Sequence, residues 1–290
     1  MKLFSPAKVN LFLGIVRKRK DGYHDIETLF ERIRLGDDIV LTPRKSGIAL
    51  TCRGDSASRP YTVPADATNL AWRAAKLLQD RCHKGAGVHI SIRKRIPVAA
   101  GLGGASSNAA TVLLGLNRFW GLRLPRTRLM ELGARLGSDV PFFLLETPFA
   151  LGRGRGGLLR KVRGSKKFWH VLVKPPFGIS TKQAYQGLKP PFLTLPKADV
   201  KMLLHSIQKG DLESLSGLLS NSLEVTLNKR VTTISKIKKM LLKEGALGAL
   251  LSGSGSTVFG LFSTQAKARR AAARLRKAHR AWKVFVASTY

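Results

Sequence analysis

The sequence of 290 residues contains little cysteine, little acid and no long apolar run. Cys52 and Cys82 show neither metal-ligand spacing nor a disulfide framework, which favours reduced thiols in a cytoplasmic protein. No apolar run approaches the length of a membrane span. The apolar N-terminus, MKLFSPAKVNLFLGIV, carries Lys8 and Asn10 and has no small-residue cleavage site. It therefore predicts a strand and not a signal peptide.

The scarcity of acid gives the chain an unusual charge. Asp and Glu number 17 against 51 Lys and Arg, a formal net charge of +34. A charge of this size favours anionic ligands and raises the rate of encounter with them. Nucleic acids, phosphorylated metabolites and acidic membrane surfaces all fit, so the charge selects only a class of partner.

Hydrophobic periodicity predicts alternating strands and helices. We predict strands over 1–16, 37–43, 89–96, 169–175 and 283–288, and helices over 67–80, 109–120, 126–137, 198–220, 228–244 and 265–280. Gly137 is expected to close its helix as a C-terminal cap, and Pro141 to stop any helix from continuing through Asp139. A loop rich in proline and polar residues is expected up to about 197. The pattern, which has no repeat of fixed period, is typical of an α+β protein in two lobes, with a boundary near residue 160.

The segment PVAAGLGGASSNAA, residues 97–110, places three glycines and two serines directly before a periodic helix. A dinucleotide fingerprint needs a third glycine where Ser106 stands, and a P-loop needs a lysine that is absent here. Small residues at a helix start can still bind phosphate, because the first-turn N–H groups and the helix dipole attract anions. The alternative is a tight strand-to-helix turn in which Ser106 only caps the helix. Composition alone leaves both open.

A second glycine-rich segment, GRGRGG at 152–157, satisfies the dinucleotide pattern literally. The residues after it have no helical face, and no acidic residue follows about 20 positions on, as the fingerprint requires. We therefore predict a basic turn at this place.

Taken with three other segments and a DGYH sequence, the first glycine-rich segment resembles the GHMP small-molecule kinases. The matching segments are SPAKVNLFLGI (5–15), RKDGYHDIETLF (19–30), IRKRIPVAAGLGGASSNAA (92–110), LGSDVPFFL (136–144) and LSGSGSTVF (251–259). They occur in the order and spacing of the family over nearly the whole chain. The branch that is most similar phosphorylates 4-diphosphocytidyl-2-C-methyl-D-erythritol with ATP, in the non-mevalonate route to isoprenoids.

The resemblance implies a two-lobed GHMP kinase fold in the cytoplasm. Residues 1–160 would form an ATP-binding domain like the second domain of ribosomal protein S5, and residues 161–290 a ferredoxin-like C-terminal domain. Magnesium is expected with ATP, but no carboxylate pair marks its ligands. Oligomeric state is not predicted.

The resemblance also implies roles for individual residues. Asp139 would be the catalytic base and Lys8 its charge partner. Matches to the family's ATP site are Asn69, Leu70, Lys94, Pro97, Gly101, Leu102, Gly103, Gly104, Ala105, Ser106 and Ser107. Matches to its cytidine-substrate site are Asn10, Tyr23, His24 and Tyr185, with His24 bonded to the base and the tyrosines on its two faces.

Structural alternatives accompany several of these roles. Lys8 could be an edge-strand lysine that discourages aggregation, Asn69 a helix cap and Lys94 a solvated strand charge. The family usually has glycine where Ala99 and Ala105 stand, and each methyl is tolerable only where φ stays negative.

Two alternative functions are compatible with parts of the sequence. The first is nucleic-acid binding through the basic helix at 265–283, which the ordered motifs disfavour. The second is a GHMP kinase for mevalonate or homoserine. The DGYH sequence disfavours it, because those substrates have no base to recognise.

Overall fold

A computed structural model describes residues 1–54, 63–82, 87–188, 199–227 and 230–290. The strands are β1 Lys2–Lys18, β2 His24–Arg44, β3 Ile48–Gly54, β4 Gly87–Lys94, β5 Phe149–Arg153, β6 Leu158–Val162, β7 Trp169–Lys174, β8 Ser220–Asn221, β9 Gly248–Leu251, β10 Val258–Phe262 and β11 Lys283–Ser288. The helices are α1 Leu70–Cys82, α2 Gly104–Phe119, α3 Arg126–Leu136, α4 Val140–Leu144, α5 Thr181–Gln186, α6 Val200–Lys209, α7 Leu212–Gly217, α8 Val231–Lys243 and α9 Gln265–Ala278.

The described residues group into two compact units whose segments interleave along the chain. Unit 1 comprises Met1–Ala7, Gly36–Val98 and Gly103–Thr147, and unit 2 comprises Lys8–Leu35, Ala99–Leu102 and Pro148–Tyr290. Strands β1 and β2 therefore contribute residues to both units. The predicted division at residue 160 stays a prediction.

Unit 1 packs helices α1 to α4 with a small sheet. The last part of β2 runs antiparallel to β4, with Asp38 opposite Arg93, and β3 runs parallel to β4. Helix α2 packs against α1, α3 and α4. Its buried residues Val112, Leu113 and Leu116 follow the helical spacing that predicted it.

Unit 2 contains a four-stranded antiparallel sheet in the order β11-β7-β10-β9. If β7, β9, β10 and β11 are numbered 1 to 4 along the chain, this order is 4-1-3-2, the ferredoxin-like order that the resemblance implied. Apolar residues of α8 and α9 join the core of this sheet. In α9, Ala268, Ala271, Ala272 and Leu275 are buried at helical spacing, so its basic residues face away.

Several predicted boundaries were wrong. The strand predicted at 37–43 is only the end of β2, which begins at His24; Glu31 and Arg32 are buried there and break the apolar alternation. The single helix predicted over 198–220 is two helices, because Gly210 ends α6 in the left-handed region with φ of 68°. Helix α5 lies in the predicted loop, whose later part, 189–198, is outside the described residues. Gly137 does end α3, but with an extended φ of 172°.

The segment at 152–157 forms the tip of the β5–β6 hairpin. Gly154 and Gly156 have positive φ angles of 64° and 94°, and the N–H of Gly156 donates to the carbonyl of Arg153 at 3.0 Å. The prediction of a turn, as opposed to a dinucleotide loop, is confirmed.

Candidate active site

The glycine-rich segment ends in the N-terminus of α2. Gly103 is the N-cap residue in the left-handed region, with φ of 69°, and Gly104 is the first helical residue. Ser107 N–H donates the first helical hydrogen bond, to Gly103, at 2.9 Å. The N–H groups of the residues between them have no helical acceptor, as at any helix start. Ser106 is the third helical residue, so the alternative in which it caps the helix is wrong.

The two alanines that replace family glycines differ in backbone conformation. Ala99 has a φ of 51°, in the region that favours glycine, whereas Ala105 lies in the first turn of α2. Both side chains are exposed. The extra methyl is therefore strained at Ala99 and unstrained at Ala105.

A buried polar network lies beneath this helix start in unit 1. Lys94 forms an ion pair with Asp37, and its Nζ also donates to Oδ1 of Asn108 at 3.1 Å. Asn108 Nδ2 donates to Asp37 and to Ser5, and Ser5 and Ser107 share a hydrogen bond of 2.8 Å. The prediction that Lys94 could be a solvated strand charge is wrong, since its side chain is only 5% exposed.

Other candidate residues of unit 1 lie at helix starts. Asn69 Oδ1 accepts the N–H of Ala71 at 2.9 Å, so Asn69 does cap α1, next to half-buried Leu70. Asp139 is the half-buried N-cap residue of α4, whose second residue is Pro141. Pro97 is buried. The sequence correctly predicts that no helix continues through Asp139, because α3 ends before it and α4 begins after it.

Two other candidates, Lys8 and Asn10, are neighbours in unit 2. Lys8 is 4% exposed, its Nζ donates to Oδ1 of Asn10 at 2.6 Å, and it lies 5.5 Å from the centre of the Phe30 ring. Asn10 Nδ2 donates in turn to Oγ1 of Thr28, whose hydroxyl donates to the Phe12 carbonyl. The orientation of the Lys8 ammonium is thus fixed by a buried chain of hydrogen bonds. Lys8 is not a solvated edge lysine.

The SGSGS loop at 252–256 contacts the glycine-rich segment within unit 2. Ser252 Oγ donates to the Gly101 carbonyl at 3.0 Å, and the N–H of Lys8 donates to the Leu102 carbonyl at 3.1 Å. A Cβ on Gly253 would lie 3.2 Å from both Lys8 Nζ and Asn10 Oδ1. Backbone thus approaches the Lys8 ammonium closely, and a side chain at Gly253 would be both tightly packed and strained, because φ there is 55°.

The loop is held in place by Asn221, a residue that sequence reasoning missed. Its Nδ2 donates to the carbonyls of Leu251 and Gly253 at 2.9 and 2.7 Å. Asn221 is the last residue of the two-residue strand β8, which carries no sequence signal of its own.

The candidate substrate residues form two pairs in unit 2. The His24 and Tyr185 rings are tilted at 34° with centroids 5.5 Å apart, and Tyr185 packs on a small apolar cluster with Ile26. Tyr23 is 54% exposed, and the guanidinium of Arg155 lies 3.6 Å from the centre of its ring. Burial and the nearby Lys18 charge lower the pKa of His24, so its imidazole is neutral at physiological pH.

No cluster of three or more potential metal ligands occurs among the side chains that the structure describes. Cys52 is a free thiol, and burial raises its pKa; the side chain of Cys82 is outside the described set. Within the same set of residues, no helix is both long and apolar enough to cross a membrane.

Comparison with known proteins decides the family. Residues 69–147 match the GHMP kinases N terminal domain, and residues 203–281 match the GHMP kinases C terminal domain. Together the two matches take in more than half of the chain. The chain belongs to the GHMP kinase family.

Close relatives of this GHMP kinase share one name. The 4-diphosphocytidyl-2-C-methyl-D-erythritol kinase of Pelotomaculum thermopropionicum is 43% identical over 93% of this chain and 92% of its own length. The protein of the same name from Citrifermentans bemidjiense is 44% identical over 97% of this chain and 96% of its own length. The chain is accordingly a phosphotransferase.

Solved structures agree with the fold of this GHMP kinase. A crystal structure of 4-(cytidine 5'-diphospho)-2C-methyl-D-erythritol kinase matches it with a TM-score of 0.84 at 34% identity, covering 99% of this chain and 98% of that one. Homoserine kinase from Cytophaga hutchinsonii matches with a TM-score of 0.77 at 20% identity, over 100% of this chain and 94% of that one. The second match is evidence of shared fold alone.

Proposed function

We propose that this chain transfers the γ-phosphoryl group of ATP to the 2-hydroxyl of 4-diphosphocytidyl-2-C-methyl-D-erythritol, in the non-mevalonate route to isoprenoids. The observation that carries the proposal is the identity of 43% over 93% of the chain with a kinase of that name. We place this activity in the cytoplasm, where the two cysteines of the chain would stay reduced.

ATP is proposed to bind at the N-terminus of α2. Gly103 and Gly104 leave backbone N–H groups open to phosphate oxygens, and the helix dipole favours negative charge there. The surrounding candidates, from Pro97 to Ser107 with Asn69 and Leu70, would enclose the nucleotide. Two of the three N–H donors of Lys94 serve Asp37 and Asn108, and we assign the third to ATP.

The cytidine end of the acceptor is proposed to bind beside Tyr23, His24 and Tyr185. Stacking of a base on aromatic rings contributes about 1–3 kcal/mol per base. The neutral imidazole of His24 can both donate and accept a hydrogen bond, as recognition of a base edge requires. Asn10 would contact the acceptor near the reacting hydroxyl.

The transfer itself needs a proton acceptor and positive charge. We propose that the Asp139 carboxylate takes the proton of the 2-hydroxyl while its oxygen attacks the γ-phosphorus. The bond from that phosphorus to the β–γ bridging oxygen breaks, and ADP leaves with the electron pair. The Lys8 ammonium, fixed by Asn10, would stabilise the negative charge on the transferring group.

Magnesium is proposed to arrive with ATP. The described side chains supply no cluster that would hold the ion by themselves. Magnesium commonly takes most of its ligands from substrate phosphates and water. It could therefore bind here with ATP without a cluster of protein carboxylates.

The proposal is tested by ADP release from magnesium ATP in the presence of the cytidine substrate, homoserine, mevalonate or no acceptor. Wild type is compared with Asp139→Asn and with Asp80→Asn, an exposed aspartate that pairs with Lys76. We expect release that needs the cytidine substrate, falls by about 10²-fold or more in Asp139→Asn, and is unchanged in Asp80→Asn. Release with homoserine or mevalonate would contradict the acceptor. Full activity of Asp139→Asn would contradict the assignment of Asp139 as the catalytic base.

A further inference from the structure

The carboxylate of Asp37 is the centre of the buried network in unit 1. It is completely buried. Its Oδ1 accepts the backbone N–H groups of Arg95 and Ile96 at 2.7 and 2.8 Å. Its Oδ2 accepts Nδ2 of Asn108 at 2.8 Å and the ammonium of Lys94. Four donors thus converge on one side chain, which matches the capacity of a carboxylate.

The four donors belong to three successive parts of the chain. Lys94 ends β4, Arg95 and Ile96 begin the turn that leads into the glycine-rich segment, and Asn108 lies in the second turn of α2. Asp37 itself is on β2. The carboxylate therefore ties the beginning and the end of the glycine-rich segment to one point in the sheet.

Lys94, the ion-pair partner of Asp37, packs closely against the start of α2. A Cβ on Gly104 would lie 3.1 Å from Nζ of Lys94, so the ammonium is packed directly against the first residue of the helix. Without the charge of Asp37, this lysine would be left as a buried cation with its main partner lost. Movement of Lys94 would then disturb the backbone of Gly104.

We infer that Asp37 is a positioning residue for ATP: it holds the Lys94 ammonium and the first turn of α2 in the arrangement that receives the phosphates. The inference rests on the proposed function, because it takes the start of α2 as the ATP site. Asp37 is too deeply buried to touch the nucleotide, so it acts through Lys94, Asn108 and the backbone of the turn.

Two effects of removing this charge have opposite signs. Loss of a negative charge near the site would by itself favour binding of an anion. An asparagine could still accept the N–H groups of Arg95 and Ile96, but its NH2 group would face the Lys94 ammonium and the Asn108 amide, which would misplace the phosphate-binding groups and weaken binding. If Asp37 positions the site, the misplacement of the phosphate-binding groups should outweigh the change in charge, and ATP should bind more weakly.

The test compares Asp37→Asn with Asp38→Asn, the neighbouring aspartate, whose side chain is 42% exposed and pairs with Arg95. We expect Asp37→Asn to raise KM for ATP about tenfold, equivalent to about 1.4 kcal/mol of binding free energy. KM for the cytidine substrate should stay within about twofold in both variants. An unchanged or lowered KM for ATP, or an equal rise in both KM values, would overturn the inference.

Folding of each variant is checked first by its thermal unfolding midpoint. If Asp37→Asn does not fold, Ser5→Ala decides, because it removes the hydroxyl that links Asn108 to Ser107 and leaves every charge in place. A rise in KM for ATP of about threefold, specific to ATP, is expected; no rise would overturn the inference.

A separate measurement keeps this inference distinct from the proposed function. Calorimetric titration with a non-hydrolysable ATP analogue measures nucleotide binding without any acceptor. If wild type binds the analogue but phosphorylates no cytidine substrate, the proposed function fails on its own. A Kd about tenfold weaker in Asp37→Asn would still support the positioning role, and an equal Kd would overturn it.

Discussion

The hydroxyl of Ser252 donates a hydrogen bond of 3.0 Å to the carbonyl oxygen of Gly101, a residue 151 positions earlier in the chain. The same glycine has a φ of 75°, and a Cβ added to it would lie 2.0 Å from the Ser252 carbonyl oxygen. Contact with the SGSGS loop is therefore enough to require glycine at this position. Gly103 and Gly104, at the start of α2, are the glycines that the proposed phosphate site needs.

Gly101→Ala should consequently unfold at lower urea concentration even without ligand. Left-handed strain and the clash with backbone together should cost about 2–4 kcal/mol of unfolding free energy. Gly157→Ala is the matched control, because its Cβ would meet nothing within 4 Å, and it should change stability by less than about 0.5 kcal/mol. Equal stability of the two variants would refute the contact.

Substitution by glycine should change the unfolding free energy in opposite directions at Ala99 and Ala105. Ala99→Gly relieves a φ of 51° and should raise the unfolding free energy by about 1 kcal/mol. Ala105→Gly places glycine in an exposed helical turn and should lower it by about 0.5–1 kcal/mol. Denaturant unfolding of the two single variants measures both. A loss of stability in Ala99→Gly would contradict the strain.

Arg155 should contribute to binding of the cytidine substrate through Tyr23. Its guanidinium covers one face of that ring, which fixes the ring and leaves the other face for the base. Arg155→Gln should raise KM for the cytidine substrate about fivefold, as expected for loss of a cation–π contact, with KM for ATP unchanged. Arg153→Gln is the control on the same hairpin, since Arg153 pairs with Glu27. A rise in KM for the cytidine substrate in both variants would point to net charge, and not to the contact with Tyr23, as the cause.

Stability should increase with pH above neutrality because of Lys174. Burial, with a smaller effect of the Lys283 charge, lowers the pKa of Lys174 from 10.5 to about 8. Between these two values the unfolded chain binds more protons than the folded chain, so the unfolding free energy rises with pH. The expected gain from about pH 7 to 9.5 is about 2 kcal/mol.

The pH effect is isolated by comparing wild type with Lys174→Gln, a neutral side chain that can still donate to the Pro175 or Phe177 carbonyl, its partners in wild type. The unfolding free energy of wild type minus that of Lys174→Gln should rise by about 2 kcal/mol from about pH 7 to 9.5, because only wild type loses a buried positive charge over this range. Lys182→Gln, at an exposed lysine, is the control and should follow wild type. A parallel pH profile for Lys174→Gln would contradict the assignment.

Features that depend on neighbouring residues were predictable from the sequence. The start of α2 follows from small residues before a periodic apolar face, and the β5–β6 turn from GRGRGG without a helix after it. The ferredoxin-like order of the C-terminal strands came from family resemblance, because periodicity does not specify which strands pair.

Features that depend on contacts between residues distant in the chain were not predictable from the sequence. Asp37 has nothing in its own surroundings to mark it, because its partners Lys94, Arg95 and Asn108 lie 57, 58 and 71 positions away. Likewise, the positive φ of Ala99 contradicts its intrinsic preference and is imposed by the surrounding structure. The first half of β2 was not predicted either, because the buried Glu31 breaks the apolar alternation. Its hydrogen-bond partners, His170 and Thr289, lie far along the chain.

The interleaved segments of unit 2 have a consequence for synthesis on the ribosome. Lys8–Leu35 emerges early, but most of its unit, Pro148–Tyr290, is translated last. At about 5–20 residues per second, the apolar residues of this segment, such as Leu11, Leu29 and Phe30, wait on the order of ten seconds or more for their packing partners. Nascent chains should therefore depend on a holding chaperone during that interval, and expression at lower temperature or with added chaperone should increase the yield of folded protein.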